Sequence, residues 1–362
     1  MVNPVRKYKR DFRPDSNLLV FLPRYKWRGF FSDRVKLLRD NRGMALILTI
    51  LIISLIVALT LQFNRSMRSN LHAAANLRDG IKLGWIARSG FNGALAVLYE
   101  DASLGNVDTL REPWAHARIF SEVSAFLFDD GRFLVEITDL SGRIQINRLV
   151  KADGNYNEIQ KGLLTRFLSS AEFDLDDEEV ENIVDAIKDW IDNPDTDGVT
   201  GWGGAEDSYY QALTKPYPCK NAPLEFLEEL LLVRGITKEL FYGTEEKPGI
   251  SLYLSAHGDD GKININTADP LVLKALSDQI DPELAEEMVA YRENEDNDLS
   301  NFTWYKRVPG MGDVSIPDSL LTTSSTYFEI TSEGLKGAMS KRIKGVVERK
   351  EEMLQVLSWK VE

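Results

Sequence analysis

The sequence has a single cysteine, Cys219, and three widely spaced histidines. It therefore offers neither an intramolecular disulfide nor the clustered thiolate and imidazole ligands of a zinc centre. The glycine-rich phosphate loop, the G-x-S-x-G nucleophile turn and paired-cysteine motifs are also absent from it. We therefore predict that the protein is not an enzyme, with an anchored hydrolase as the weakest alternative. We expect Cys219 to be a small buried apolar side chain.

Charge is distributed unevenly along the chain. Residues 1–43 contain 12 Lys and Arg against 4 Asp, a net charge of +8. Because the whole chain carries −13, residues 44–362 carry −21. So acidic a body would repel nucleic acid and anionic lipid, and it would suit the binding of a divalent cation.

Residues 44–63 form a run of 20 residues without a charge, and Arg65 and Arg68 follow it. As a helix, about 20 apolar residues cover the roughly 30 Å core of a bilayer. We therefore predict a transmembrane helix at 44–64. Positive charge favours the cytoplasmic side, which makes 1–43 a basic cytoplasmic leader and places the acidic body outside.

The helix is predicted to continue beyond the membrane. Apolar residues recur mostly at steps of three and four, which predicts one stripe on one helix face: Leu71, Leu77, Ile81, Trp85, Ile86, Phe91, Leu95 and Leu98. No proline lies between Met44 and Pro113. We expect one helix from Met44 to about Tyr99, roughly 85 Å long.

Alternation of apolar and polar residues predicts the strands. Residues 133–138 and 143–147 alternate about the turn 139–142, which predicts a β-hairpin. The phrase at 142–147 is repeated at 261–266, and two neighbouring strands with these sequences would make the segment between them an insertion. Residues 327–331 and 341–360 predict the last strands, with a polar turn at 348–352.

The densest polar segment lies in the predicted insertion. It contains Asp189, Asp192, Asp195 and Asp197, followed by a glycine-rich stretch that ends at Tyr209 and Tyr210. Calcium binds about six to eight oxygen ligands, and a glycine lets such a loop bend. The alternative is a solvated acidic turn with its own hydrogen bonds. We expect the two tyrosines to anchor the end of the loop in the helical core.

Residues 263–267 and 308–312 together look like part of a helix-hairpin-helix, whose glycine turn can hold a DNA phosphate. This gives a second hypothesis, a membrane-anchored periplasmic DNA-binding receptor. Lys306 and Arg307 are basic, but acidic residues surround them: Glu293, Glu295, Asp296, Asp298 and Asp313. Phosphate binding needs a positive field, so we expect no nucleic-acid partner.

The N-terminal junction carries a family resemblance. A basic arm, Arg42-Gly43, Met44 and an unbroken apolar helix resemble the leader of type IV pilins and pseudopilins. In that family a prepilin peptidase cuts after the glycine and methylates the new N-terminus, which implies Gly43 and Met44 as the processing site. The family usually has Glu at the fifth mature position, where this chain has Leu48. The K-type minor pseudopilin of type II secretion typically lacks that Glu.

Three further phrases resemble the K-type family, general secretion pathway protein K: 141–147, 261–268 and the Gly-Ala-Glu-Asp-x-Tyr-Tyr stretch at 204–210. The resemblance implies an α+β fold with a long pilin-like N-terminal helix packed on an antiparallel sheet. It assigns 65–147 and 261–362 to the pilin-like domain, with extra helices about 267–312, and 148–260 to a mostly helical, SAM-like inserted domain.

The same resemblance implies function, partners and a metal. It implies a single-pass bacterial inner-membrane protein with its C-terminal domain in the periplasm. The protein would sit at the tip of the pseudopilus with the I- and J-type minor pseudopilins, where it would start and cap assembly for the export of folded proteins. The resemblance also implies structural Ca²⁺ bound by acidic residues of the inserted domain: Asp192, Asp195, Asp197, Glu206 and Asp207.

Overall fold

The structure, a computed structural model, describes residues 43–193, 198–350 and 353–362. The chain divides into two compact units, the first ending at Ala74 and the second comprising Ala75–Glu362, and each is described by itself. Helix α1, Met44–Leu104, has 61 residues. The prediction of one helix beginning at Met44 is therefore confirmed, and the glycines at 80, 84, 90 and 93 do not interrupt it.

The two parts of α1 differ in burial. Every residue from Met44 to Ala74 is exposed. In the second unit, α1 buries one stripe against the sheet: Leu83, Ile86, Ala87, Gly90, Phe91, Ala94 and Leu98. Leu77, Ile81 and Trp85 were also predicted to belong to this stripe, but they are 68%, 56% and 64% exposed. That part of the prediction was wrong, because these three residues lie on a different face of the helix from Leu83 and Ala87.

A four-stranded antiparallel sheet packs on α1, in the order β1-β6-β7-β8. Its strands are β1 (Arg132–Asp139), β6 (Tyr327–Lys336), β7 (Met339–Lys350) and β8 (Met353–Val361). Gly90 lets the helix approach closely, since a Cβ there would lie 2.4 Å from the Ser332 Oγ atom. Helix and sheet share one hydrophobic core, which includes Phe91, Phe133 and Phe328. The predicted strands near the C-terminus are confirmed, but β7 continues to Lys350, so the turn predicted at 348–352 was placed too early.

The predicted hairpin after residue 133 is wrong. β1 pairs with β6, about 190 residues further along the chain, so local alternation could not identify its neighbour. Beyond β1 the chain forms β2 (Ile144–Gln145), which pairs in parallel with β3 (Leu254–Ser255). Gly142 sits against Thr267, because a Cβ there would lie 2.6 Å from the Thr267 Oγ1 atom. The chain thus leaves the sheet at this point rather than turning back along it.

Residues 144–321 share a second hydrophobic core, and we call them the helical body. Its helices are α3 (Glu158–Leu168), α4 (Asp177–Ile191), α5 (Asp207–Gln211), α6 (Lys238–Tyr242), α7 (Pro270–Ala275) and α8 (Pro282–Glu293). The body also contains short 3₁₀ helices, including Leu227–Leu232 and Phe302–Arg307. Residues of α7 and α8 join the same core as those of α3 and α4. The limits 148–260 for the inserted domain stay a prediction.

The two repeated phrases do not form neighbouring strands. β2 belongs to the first phrase, whereas β4 (Ile263–Asn264) belongs to the second and pairs in parallel with β5 (Leu321–Thr322). A side chain joins the phrases instead. The Gln145 Nε2 atom donates to the Lys262 carbonyl at 2.9 Å, and its Oε1 atom accepts from the Gly261 amide at 2.9 Å. The phrases therefore lie near each other without sharing a β-ladder.

Candidate functional site

Helix α4 delivers the first residues of the acidic loop. The helix begins with a capping box between Asp176 and Glu179, and Asp192 caps its C-terminus. Asp192 is only 3% exposed. Its Oδ2 atom accepts from the Lys188 Nζ atom at 2.8 Å, whereas its Oδ1 atom is buried without a partner among the described residues. A buried carboxylate oxygen without a partner is costly, so it indicates a position for a cation.

Asp189 is one helical turn before Asp192 and is fully buried. Both of its carboxylate oxygens accept from the Thr200 amide, at 3.2 and 3.1 Å. Burial raises the pKa of Asp189. Asp189 was not among the predicted ligands. Its spacing of three residues from Asp192 on a helix, which puts both carboxylates on one face, was the available signal.

Glu206 and Asp207 begin helix α5. Burial raises the pKa of Glu206, and the negative charges of Asp189 and Asp192 raise it further, so the three carboxylates repel one another electrostatically. The Asp207 Oδ1 atom accepts from the Cys219 amide at 3.1 Å. The structure thus groups Asp192 with Glu206 and commits one oxygen of Asp207 elsewhere. Asp195 and Asp197 lie outside the described residues.

The glycine-rich stretch is packed tightly beside these acids. A Cβ at Gly203 would lie 2.2 Å from the Asn182 Cα atom, so a side chain there would displace the loop. Tyr210 is fully buried, and its ring lies 5.0 Å from that of Trp190. Tyr209 is 37% exposed. Tyr210 therefore anchors the loop end in the helical core, as predicted, whereas the same prediction for Tyr209 was wrong because its side chain lies at the surface.

Cys219 lies behind the loop and is buried, as expected. Its Sγ atom is 3.5 Å from the Asp189 carbonyl oxygen, and burial raises the pKa of the thiol to about 12. The cysteine therefore serves as a packing residue under the acidic group.

A second acidic group lies at the end of α1. Carboxylate oxygens of Asp101, Asp108 and Glu112 lie within 4.8 Å of one another. Arg349 of β7 forms ion pairs with both aspartates, with its Nη1 atom 2.8 Å from the Asp101 Oδ2 atom. Its Nη2 atom also donates to the Ser325 carbonyl at 3.0 Å. A buried guanidinium therefore already offsets part of the negative charge of this group, and we call Asp101, Asp108, Glu112, Ser325 and Arg349 the Arg349 cluster.

Glu112 makes the Arg349 cluster sensitive to pH. Burial raises the pKa of Glu112 from 4.5 to about 7, although the Trp114 indole, which donates to its Oε2 atom at 2.6 Å, opposes the rise. The pKa of Glu112 is thus higher in the folded chain than in the unfolded chain. The stability that this carboxyl contributes is complete below pH 4.5, and it is lost as the pH rises through about 7.

We therefore expect Glu112→Gln to raise the free energy of unfolding by about 1–2 kcal/mol at pH 8 and to change it little at pH 4. The measurement is the Tm of the full chain in detergent at both pH values. Glu122→Gln, on an exposed carboxylate of the short helix that follows, is the control. An unchanged pH dependence in Glu112→Gln would contradict the assignment.

The predicted processing junction is exposed. Gly43 directly precedes α1, and its carbonyl accepts from the Ile47 amide at 3.1 Å. Met44, the first residue of the helix, is 63% exposed, and Leu48 is 59% exposed. Among the described residues, α1 is the one helix long and apolar enough to cross a membrane, with a mean hydropathy of 2.9 over its best 18-residue window.

The residues that resemble a helix-hairpin-helix stabilise the helical body. The Asn266 Oδ1 atom accepts from the Trp304 indole at 2.7 Å. Arg292 is buried and donates to the Ile265 and Ala268 carbonyls at 3.2 and 2.5 Å. At the glycine turn, the Met311 amide donates to the Val308 carbonyl at 3.0 Å. These polar groups are thus committed inside the body, where they support its fold.

A helix of membrane-spanning character that continues into an antiparallel sheet domain defines a pilin-like subunit, here with an added helical body. Two family models, both described as Type II secretion system (T2SS), protein K, match residues 142–244 and 263–324. These matches show that the chain is similar to the type II secretion system protein K family over residues 142–244 and 263–324. The resemblance inferred from the sequence is therefore confirmed, and so is the α+β fold.

Two related proteins and a chain of one solved structure are also similar to this chain. Type II secretion system protein K of Aeromonas hydrophila is 27% identical over 323 residues, which cover 86% of this chain and 94% of that protein. The protein K of Pseudomonas aeruginosa is 28% identical over 310 residues, covering 82% and 85%. The crystal structure of the GspK-GspI-GspJ complex from enterotoxigenic Escherichia coli contains a chain of similar fold, with a TM-score of 0.63 and 19% identity, covering 80% of this chain and 99% of that one.

Proposed function

We propose that this chain is the minor pseudopilin that starts and caps the type II secretion pseudopilus. Its C-terminal unit would lie in the periplasm and α1 would anchor it in the inner membrane. The observation that carries the proposal is α1 itself. Every described residue up to Ala74 is exposed, so this part of α1 is free to contact a membrane or neighbouring helices. The first carboxylate in α1 is that of Asp79.

The missing carboxylate supports a role as the first subunit. A charged side chain near the bilayer centre costs about 2.5–3.5 kcal/mol on insertion scales, so it needs a partner. In pilins that partner is the N-terminal ammonium of the subunit already assembled. Leu48 needs no such partner. This chain can therefore enter the membrane and begin a filament without a predecessor.

The helical body supports a role as a cap, because it is rigidly joined to the pilin-like sheet. The Asn264 amide donates to the Ser141 carbonyl at 2.8 Å, and the Asn264 Nδ2 atom donates to the Asp108 carbonyl at 3.1 Å. The Thr267 hydroxyl donates to the Asp139 Oδ2 atom at 2.5 Å. A large body held by buried hydrogen bonds would block the addition of a further subunit. The mechanism is helix packing and steric exclusion without catalysis.

The test is co-purification of the full chain in detergent with the I- and J-type minor pseudopilins of the same secretion system. We expect a complex of all three, because the related crystal structure is that of a GspK-GspI-GspJ complex. In cells, deletion of the chain should stop secretion of the folded cargo. A chain that binds neither pseudopilin, and whose deletion leaves secretion intact, would refute the proposal.

We also propose that the acidic loop holds structural Ca²⁺. The residues fit the ion because Asp192 has a buried oxygen without a partner and Glu206 lies in the field of two other carboxylates. Asp192 and Glu206 would bind it, together with Asp195, Asp197 and Asp207. Asp189 supports the loop through Thr200. Bound calcium would neutralise the clustered charge and order the loop.

We expect calcium at a hundredfold excess over its Kd to stabilise the full chain by about 2.7 kcal/mol, which is the linkage value for one site. Asp192→Asn should lose most of this gain, because it removes one charge and weakens the buried ligand. Asp259→Asn, on an exposed acid of the same body, should keep it. The measurement is Tm with calcium and with a chelator. Equal Tm values in both conditions would show that no calcium is bound.

A further inference from the structure

The two edges of the sheet are closed differently. Helix α2 (Arg118–Ser124) covers the edge at β1 with hydroxyl groups: the Phe133 amide donates to the Ser124 Oγ atom at 3.1 Å, and the Val135 amide donates to the Ser121 Oγ atom at 2.9 Å. At the opposite edge, β8 has β7 as its one strand neighbour in the described sheet. Five apolar side chains of β8 are 40–74% exposed: Met353, Val356, Leu357, Trp359 and Val361.

An apolar edge strand of nine residues is a hazard in a protein that works alone. Its outer amides and carbonyls form a template for another chain, and natural proteins usually cover such edges or place charges on them. Among the residues that the structure describes, α2 covers one edge and no element covers the other. The difference indicates that β8 meets a partner.

Two exposed tryptophans mark the same side of the molecule. Trp85 of α1 and Trp359 of β8 both face the Arg88 guanidinium, whose Cζ atom lies 5.8 Å from each ring centre. Trp359 also packs on buried Phe91, with ring centres 4.6 Å apart, which fixes its position. Tryptophan and arginine are the residues most enriched at binding hot spots. Ile81, one turn before Trp85, extends this exposed face along α1.

The charge of this surface differs from that of the whole body. Lys82, Arg88 and Lys341 border it, and they make no ion pair with any residue that the structure describes. Residues 44–362 carry a net charge of −21, so a surface with three neighbouring cations differs in sign from the body as a whole. A partner that presents acidic groups around an apolar centre would match them.

We infer that the α1–β8 flank, defined as Ile81, Trp85 and Arg88 with strand β8, binds a neighbouring minor pseudopilin through an acidic and apolar face of that subunit. The inference rests on the proposed function and deepens it by naming the contact surface. Continuity favours this occupant, because the flank includes the same helix that carries the exposed stretch Met44–Ala74. The opposite edge, closed by α2, is the matched reference surface.

The test uses the full chain in detergent, co-expressed with the I- and J-type pseudopilins. A photo-reactive residue replaces Trp85 or Leu357 on the flank, and Val123 on α2 serves as the control because it is 57% exposed. We expect cross-links to one of the two pseudopilins from positions 85 and 357 and none from 123. Trp359 is left unchanged because it packs on Phe91.

Charge reversal provides an independent measurement. Arg88→Glu with Lys341→Glu should weaken binding to that pseudopilin at least about tenfold in Kd and remove its salt dependence. Lys151→Glu, on an exposed lysine of the helical body, should leave the Kd unchanged. A complex that forms normally but cross-links from 123 alone, or to a second copy of this chain, would overturn the flank assignment and leave the proposed function intact. If no complex forms, the proposed function fails, and the inference fails with it.

Discussion

Replacing Gly43 by leucine is expected to leave the chain unprocessed and to reduce secretion of the cargo to background. The substitution adds a side chain directly before the predicted cut, whereas the fold tolerates it because a Cβ at Gly43 meets no atom within 4 Å. The retained leader carries a charge of +8. A single charge at the bilayer centre costs about 2.5–3.5 kcal/mol, which is roughly a hundredfold in an assembly equilibrium.

Mass spectrometry of the N-terminus and a secretion assay measure the two effects. The native protein should begin at N-methylated Met44, and the variant should retain all 43 preceding residues. Gly80→Leu is the matched control, because Gly80 also has open space around a Cβ on the same helix. It should be cut and methylated normally. Normal cutting of the Gly43→Leu protein, or full secretion by the uncut form, would contradict the assignment of this junction.

The sequence was sufficient for features that depend on local periodicity and hydropathy. Helix α1 was predictable because its apolar run and helical spacing persist without a proline. Strands β7 and β8 were predictable because each alternates and a polar turn separates them in sequence. The K-type family was recognisable from short phrases in a fixed order. In each case the information lies within a few residues of the element concerned.

Features that depend on distant parts of the chain were not predictable from those patterns. The neighbour of β1 is β6, and loop closure over such a distance leaves no trace in the sequence of β1 itself. Trp85 is apolar and helically spaced, yet it is exposed. Periodicity shows that a residue is apolar and cannot tell a protein core from a binding surface. Asp189 was placed in the acidic segment, but its hydrogen bonds with the Thr200 amide, across the loop, could not be read from the sequence.

The Arg349 cluster could not be predicted either, and it gives the largest expected effect on stability. Arg349 lies on β7, Asp101 lies in the last turn of α1, and Asp108 contacts the helical body through its carbonyl. The Arg349 side chain is 7% exposed, and its guanidinium stacks 4.7 Å from the Phe328 ring centre. One side chain thus connects the sheet, the long helix and the body. Its removal would leave two buried carboxylates without their cation.

We therefore expect Arg349→Met to lower the free energy of unfolding by about 3–5 kcal/mol, measured by chemical denaturation of the full chain in detergent. Arg342→Met is the control, because that arginine lies on the same strand, is 48% exposed and pairs with Glu333 at 3.5 Å, so its loss should cost less than about 1 kcal/mol. Adding Asp108→Asn to Arg349→Met should restore part of the stability, because it removes one of the two buried carboxylates that have lost their cation. If Arg349→Met and Arg342→Met were equally stable, the Arg349 cluster would not hold the helical body to the sheet. The proposed cap would then need another structural support.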